Sequence, residues 1–140
     1  MSFKYWTGGH TIHRLQYHIV FIPKYRHRVL KGKIAKDIQH IFYEATKVNG
    51  WWVEELKIME DHVHLVIQIH PRESVAEVVQ LLKGGSSRLL RKIYEDSEEF
   101  IWGKEFWADG YFAETVGVRT IRLVKQYIKE NREIMPQKRR

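Results

Sequence analysis

The hydrophobic pattern of the chain alternates with a period of two in four segments, and this period is typical of β-strands. The first segment covers residues 15–22 and ends at Pro23, which cannot donate a hydrogen bond to a neighbouring strand. Residues 51–59 and 61–70 follow each other across a short acidic break, so we predict that they form a hairpin. Residues 110–118 make the fourth predicted strand.

A period near 3.6 residues predicts three helices. The first covers residues 33–48 and is closed by an Asn-Gly pair, a common helix stop. The second begins at a capping box and continues over residues 74–93. Gly84 and Gly85 lie inside it, and we expect either a bend there or the close approach of another backbone. The third helix covers about residues 120–134.

The predicted order βαββαβ, followed by a final helix, determines the expected fold class. It is typical of an α+β, ferredoxin-like (RRM-like) sandwich, in which helices cover one face of an antiparallel sheet. The first and third strands, residues 15–22 and 61–70, then lie at the centre of that sheet. A length of 140 residues suits one core, so we expect residues 1–140 to form a single domain.

The composition of the chain excludes several kinds of site. The chain has no cysteine, which excludes disulfides, zinc–thiolate sites and thiol nucleophiles and favours a cytoplasmic location. Its apolar runs have the length of strands, far below the roughly 18 residues of a membrane span. There is no signal-peptide pattern, so we expect a protein without a membrane partner.

The positive charge of the chain favours a polyanionic partner. Its formal net charge is +7, from 24 Lys and Arg against 17 Asp and Glu. Nucleic acid is the expected partner, although an excess of basic residues also serves solubility. The basic residues that we expect to contact phosphates are Lys24, Arg26, Arg28, Lys83 and Arg88.

Two histidines of the third predicted strand, His62 and His64, project from the face opposite its row of Val, Leu and Ile. Residues two apart on a strand are separated by about 6.6 Å, close enough for two imidazoles to bind one divalent ion. Because the chain has eight histidines, a same-face pair without function is the alternative. His18, on a neighbouring central strand, and His70, at the far end of the same face, are further candidates to approach the metal, but we interpret both as structural or DNA-facing.

The last predicted helix carries Tyr127 and Asn131 one turn apart on one stripe. This stripe lies beside the apolar stripe with which the helix docks. A tyrosine next to an amide that can bind a metal is an unusual surface pair. Together with the two histidines it favours a chemical site over an ordinary helix surface.

Several passages, in order along nearly the whole chain, resemble one protein family. They are Tyr17-His18-Ile19-Val20-Phe21-Ile22-Pro23-Lys24-Tyr25-Arg26, Asp61-His62-Val63-His64, Leu82-Lys83-Gly84-Gly85-Ser86-Ser87, the run 102–112, Thr115-Val116-Gly117, and Tyr127. Their order and spacing resemble the HUH single-tyrosine transposases (Y1-type), the TnpA-type enzymes of insertion sequences. The resemblance implies a small homodimer that cuts and rejoins single-stranded DNA and recognises imperfect hairpins near the ends of a mobile element.

The resemblance also implies roles for individual residues. His62 and His64 match the two metal-ligand histidines, and Tyr127 matches the nucleophile that forms a 5′-phosphotyrosine with help from Mg²⁺ or Mn²⁺. Asn131 stands where the family usually has a glutamine as third ligand, and asparagine is one methylene shorter. The other candidates for this third ligand are Glu130, Asp61 and water. In the family the tyrosine helix of one subunit completes the site of the other, and the expected location is the nucleoid of a prokaryote.

Three alternative functions stay open from the sequence. A non-catalytic module that binds single-stranded nucleic acid would use the same ferredoxin-like sheet, but clustered aromatic residues would then be expected on its central strands. A rolling-circle initiator or relaxase shares the histidines and the tyrosine but usually carries further domains. A domesticated relative that processes chromosomal palindromic repeats would have the same catalytic residues.

Overall fold

A computed structural model describes residues 6–8, 11–94, 106–116 and 129. In chain order the elements are β1 (Trp6–Gly8), β2 (Thr11–His13), β3 (Gln16–Phe21), a 3-10 turn (Lys24–Arg26), α1 (Gly32–Asn49), β4 (Trp52–Met59), β5 (His62–Gln68), α2 (Val75–Ile93) and β6 (Phe112–Thr115). Elements β3 to β6 reproduce the predicted order βαββαβ. The α+β, ferredoxin-like fold class is therefore confirmed.

The main sheet has four strands in the order β4-β5-β3-β6, and each neighbouring pair is antiparallel. The two central strands are β5 and β3, as the sequence predicts. Strands β4 and β5 form the predicted hairpin across Glu60 and Asp61. The predicted fourth strand is shorter than expected because β6 pairs with β3 over only four residues, 112–115.

The two helices follow their predicted patterns closely. Helix α1 ends at Gly50, whose φ of +72° is the left-handed conformation that glycine adopts without strain. Helix α2 begins at the capping box of Ser74 and Glu77. Helix α2 continues through Gly84 and Gly85, and within the described part of the chain nothing lies within 4 Å of a Cβ placed on either residue, so no protein backbone approaches them there.

The core lies between the helices and one face of the sheet. Alternate residues of β3 and β5, such as Ile19 and Leu65, are fully buried against α1 and α2, where Ile38 and Leu82 are also buried. Trp107 adds to this core, and its indole Nε1 donates to Ser86 Oγ over 2.8 Å. The core face and the opposite polar face of the sheet are thus separated by the period of two.

The small hairpin β1–β2 was not predicted, because three-residue strands carry too little pattern to be recognised. The ring of Trp6 in β1 lies 5.0 Å from the ring of His70, which is how the hairpin meets the end of β5. The predicted helix 120–134 lies outside the described residues, apart from Lys129. Within the described part of the chain, no helix is both long enough and apolar enough to cross a bilayer.

Candidate active site

Both histidines of interest lie on β5, on the face of the sheet that points away from α1 and α2. His64 is paired with Val20 of β3 and with Lys57 of β4, and His62 is paired with Met59. Both imidazoles are half-buried, while Val63 between them is buried in the core. The structure therefore confirms that they share one face, as their spacing predicts.

His62 is held by the residue before it. Its Nδ1 lies 2.8 Å from Asp61 Oδ1, and the other oxygen of Asp61 accepts a hydrogen bond from Arg26 Nη2. The side chains of Asp61 and Arg26 are only 7% and 13% exposed, so this is a largely buried ion pair. A carboxylate on Nδ1 fixes the ring and leaves Nε2 as the nitrogen that can bind an ion.

Arg26 reaches Asp61 from a strained turn. Its φ of +54° is in the left-handed region, which costs a residue with a side chain about 1–2 kcal/mol. The turn is held by the amide of Lys24, which donates to the carbonyl of Phe106 over 2.9 Å, and by a bridge between Pro23 and Trp107. The surrounding backbone thus maintains the strained conformation of Arg26, whose guanidinium contacts Asp61.

His64 is held from another strand. Its Nε2 lies 3.0 Å from Nδ1 of His18 on β3, and the two ring centroids are 5.2 Å apart with an angle of 19° between the ring planes. Burial lowers the pKa of both imidazoles, and the charge of His18 lowers the pKa of His64 further. The two rings are therefore neutral at pH 7 and share one proton between the facing nitrogens.

The carboxylate of Glu114 lies next to His18 on the neighbouring strand β6. Glu114 of β6 is paired with His18 on the same face. The charges of Glu55 and Glu114 raise the pKa of His18, although they do not outweigh the effect of burial. Glu114 Oε2 is buried and has no hydrogen-bond partner among the described residues. Glu114, His18 and His64 thus form a polar row that crosses three strands.

The polar face is less solvated than the alternation in the sequence suggests. Gln68 and Val66 of β5 are fully buried, and His18 is only 7% exposed. Gln16 and Gln68 face each other, and the amide of Gln16 donates to Gln68 over 3.5 Å. The centre of this face is therefore buried, and the two histidines lie at the edge of a buried polar region.

The donor set of the described residues fits part of a metal site. His62 and His64 supply two imidazoles, but no group of three or more His, Cys, Asp or Glu side chains in the described ranges is arranged to hold an ion. Asp61 is engaged with His62 and Arg26, which leaves its carboxylate poorly placed to serve as the third ligand. Tyr127, Asn131 and Glu130 lie outside the described residues.

The basic residues that were predicted to contact phosphates lie in different surroundings. Arg26 is paired with Asp61, and Arg28 forms an exposed pair with Glu60 at 3.3 Å. Lys83 on α2 donates to the carbonyls of Ala108 and Gly110 over 2.7 and 2.5 Å. The remaining two are Lys24, half-buried in the 3-10 turn, and Arg88, exposed on α2. Lys83 and Arg88 therefore belong to the helix layer, on the other side of the sheet from the histidines.

Sequence reasoning did not predict the contact of His18 with His64. Both residues have the right parity to share a face, but their contact depends on the register between β3 and β5. These strands are separated by α1 and β4, so no local pattern determines that register. The contact of Asp61 with His62 joins sequence neighbours at the end of a hairpin and is the kind of contact that spacing can suggest.

Comparisons with known proteins agree with this architecture. The family model described as "Transposase IS200 like" matches residues 11–131. The ISDra2 transposase TnpA of Deinococcus radiodurans is 32% identical over 126 residues, which cover 90% of each protein. The IS200 transposase of Salmonella typhimurium is 33% identical over 125 residues, 89% of this chain and 82% of the relative.

Solved structures of transposases are also similar to this chain. The crystal structure of a putative transposase from Deinococcus radiodurans R1 superposes with a TM-score of 0.82 at 31% identity, and the match covers 91% of this chain and 97% of that one. A REP-associated tyrosine transposase bound to a REP hairpin superposes with a TM-score of 0.58 at 10% identity, covering 84% and 66% of the two chains. At that identity the second likeness concerns the fold alone.

Proposed function

Because the chain belongs to the family of IS200-like transposases, enzymes that cleave DNA and transfer strands, we propose that it cuts and rejoins single-stranded DNA through a covalent tyrosine intermediate. The observation that carries this proposal is the pair of half-buried imidazoles on β5, each held by its own hydrogen-bond partner. Such restraint is expected of metal ligands, since an ordinary surface histidine needs no fixed ring.

The metal in this proposal is Mg²⁺ or Mn²⁺, held by His62, His64 and Asn131. When bound, it neutralises charge on the scissile phosphate and fixes the orientation of that group. His62 would offer Nε2, because its Nδ1 faces Asp61. The remaining ligands of the ion would be oxygen atoms from Asn131, water and the DNA.

The proposed nucleophile is Tyr127. Its phenol oxygen attacks the phosphorus and loses its proton, the bond from phosphorus to the 3′ oxygen breaks, and that oxygen takes up a proton to leave as a 3′-OH. The 5′ side stays on the enzyme as a phosphotyrosine ester. Since this ester keeps the energy of the phosphodiester, a second 3′-OH can reverse the step and join a new partner without ATP.

The proposed substrate is a single-stranded DNA hairpin near the end of a mobile element. A net charge of +7 supports a polyanionic partner, and a relative in fold was solved with a hairpin bound. Arg88 on α2 and Arg28 beside the β4–β5 turn are exposed basic residues for phosphate contacts. We also propose a homodimer in which the tyrosine helix of each subunit serves the site of its partner.

The proposal is tested with purified protein and single-stranded hairpin DNA taken from either side of the gene, in Mg²⁺ or in EDTA. A denaturing gel detects a covalent protein–DNA adduct. We expect an adduct that needs the metal and that disappears in Tyr127→Phe. Tyr43→Phe is the matched control, because Tyr43 is exposed on α1 in the helix layer and should leave the adduct unchanged.

Two results would contradict the proposal. Tight binding without an adduct across these DNAs would favour a non-catalytic nucleic-acid-binding module. An adduct that persists in Tyr127→Phe would move the nucleophile to another residue.

A further inference from the structure

We propose that His18 is a positioning residue for the metal site: it accepts a hydrogen bond from His64 Nε2–H and thereby leaves His64 Nδ1 as the metal-binding atom. This inference rests on the proposed function, since it assumes that His64 binds an ion. The contact that carries it is the separation of 3.0 Å between His18 Nδ1 and His64 Nε2. No sequence motif assigns such a role to His18.

The hydrogen bond between two neutral imidazoles admits two arrangements. If His18 donates from Nδ1, His64 Nε2 is the acceptor and His64 carries its proton on Nδ1, so neither of its nitrogens is free for an ion. If His64 donates from Nε2, its Nδ1 has a free lone pair. Only the second arrangement allows His64 to act as a ligand while the observed contact is kept.

The carboxylate on β6 favours this second arrangement. When His18 accepts at Nδ1, its own proton is on Nε2, and the negative charges of Glu55 and of its cross-strand partner Glu114 favour a ring that presents N–H to them. In the opposite arrangement His18 Nε2 carries a lone pair instead of a proton, which the negative charges around His18 disfavour. Glu114 therefore biases His18 toward accepting and His64 toward donating.

The packing of the two rings supports this preference of His64 for the tautomer with its proton on Nε2. His18 is 7% exposed and its ring lies edge to edge with that of His64, with centroids 5.2 Å apart, so water cannot readily replace it as the acceptor. The pairing of β3 with β5 places His18 opposite Val66 and His64 opposite Val20, which brings the two rings together diagonally. A ligand histidine held in one orientation and one tautomer loses less freedom when an ion binds.

The first measurement is the tautomer of His64 in the metal-free, full-length protein, read from two-bond ¹H–¹⁵N correlations of the imidazole ring. We expect a proton on Nε2 in the wild type and loss of this single tautomer in His18→Phe. His18→Asn is the conservative variant, since the asparagine Oδ1 takes the place of the accepting nitrogen and should restore the tautomer. His40→Phe, an exposed histidine on α1, is the matched control.

The second measurement is the affinity for Mn²⁺ by calorimetry, with circular dichroism to verify folding of each variant. We expect His18→Phe to bind about 10- to 100-fold more weakly than wild type, and His18→Asn and His40→Phe to bind within about 3-fold of it. If wild type carries the proton on Nδ1 of His64, or if His18→Phe binds Mn²⁺ as wild type does, the role of His18 is overturned. If wild type does not bind Mn²⁺ at all, the proposed metal-dependent function is overturned instead.

Discussion

His62 and His64 are separated by one residue, yet the protein holds them in different ways. His62 is fixed by Asp61, its neighbour in the chain, which is itself paired with Arg26. His64 is fixed by His18, which is 46 residues away and on a different strand. The imidazole of His62 is held by a neighbouring carboxylate that is part of a buried ion pair. The imidazole of His64 is held by a neutral ring, which the register between β3 and β5 brings next to it.

The two histidines of one candidate site are therefore held in place by different kinds of interaction, one charged and one neutral. The contact of His62 with Asp61 depends on a largely buried ion pair, so removing one of its two charges should be costly in stability. The contact of His64 with His18 is between neutral groups, so its loss should disturb orientation more than stability. The predictions below test this contrast, in order of the expected size of the effect.

The largest effect is expected for Asp61→Asn. This change removes the negative charge that faces the guanidinium of Arg26, which is only 13% exposed, and should lower the free energy of unfolding by about 3 kcal/mol. Urea denaturation of the metal-free protein measures it. Glu60→Gln is the control, because Glu60 forms an exposed pair with Arg28 and its loss should cost less than about 1 kcal/mol. Equal losses in the two variants would show that burial of the Asp61 pair does not matter.

A smaller loss of stability is expected from a change at Asp37 on α1. Like Asp61, this carboxylate has a basic residue and a second side chain as partners, but it is more exposed to solvent. It accepts hydrogen bonds from Lys33 over 3.0 Å and from Tyr94 over 2.6 Å. Burial by itself raises the pKa of Asp37, but these hydrogen bonds outweigh it, so the pKa is lowered. We expect Asp37→Asn to cost about 1 kcal/mol at pH 7.

The pH dependence of this second effect has a definite sign. Because the folded state lowers the pKa of Asp37, its contribution is present above the unfolded value, near 3.9, and is lost as the pH falls through the folded value. Urea midpoints measured between pH 5 and pH 3 should therefore fall more steeply for wild type than for Asp37→Asn. Parallel curves would contradict the role of this carboxylate in the helix layer.

The smallest effect is expected for Glu114→Gln, which acts on His64 only through His18. Removing the charge weakens the bias on the tautomer, and we expect the affinity for Mn²⁺ to fall about 3-fold, less than for a group that touches a ligand directly. The free energy of unfolding should stay nearly unchanged. Glu54→Gln on the edge strand β4 is a suitable control. A loss as large as that of His18→Phe would place Glu114 in direct contact with the ion.

Much of this protein could be predicted from local sequence. The period of two in residues 61–70 separated His62 and His64 from the core, and the apolar stripe of α1 and the capping box of α2 predicted both helices. These features depend on residues a few positions apart, where backbone geometry alone determines which side chains share a face. The family resemblance, confirmed by the match over residues 11–131, rests on such local motifs in a fixed order.

Tertiary structure decided what surrounds those residues. The contact of His18 with His64, the position of Glu114 opposite His18, and the burial of Gln68 all follow from the pairing of β5 and β6 with β3. A shift of one residue in either pairing would move every side chain of that strand to the other face. Register between strands far apart in the chain is determined by the packing of the whole core, and no local pattern contains it.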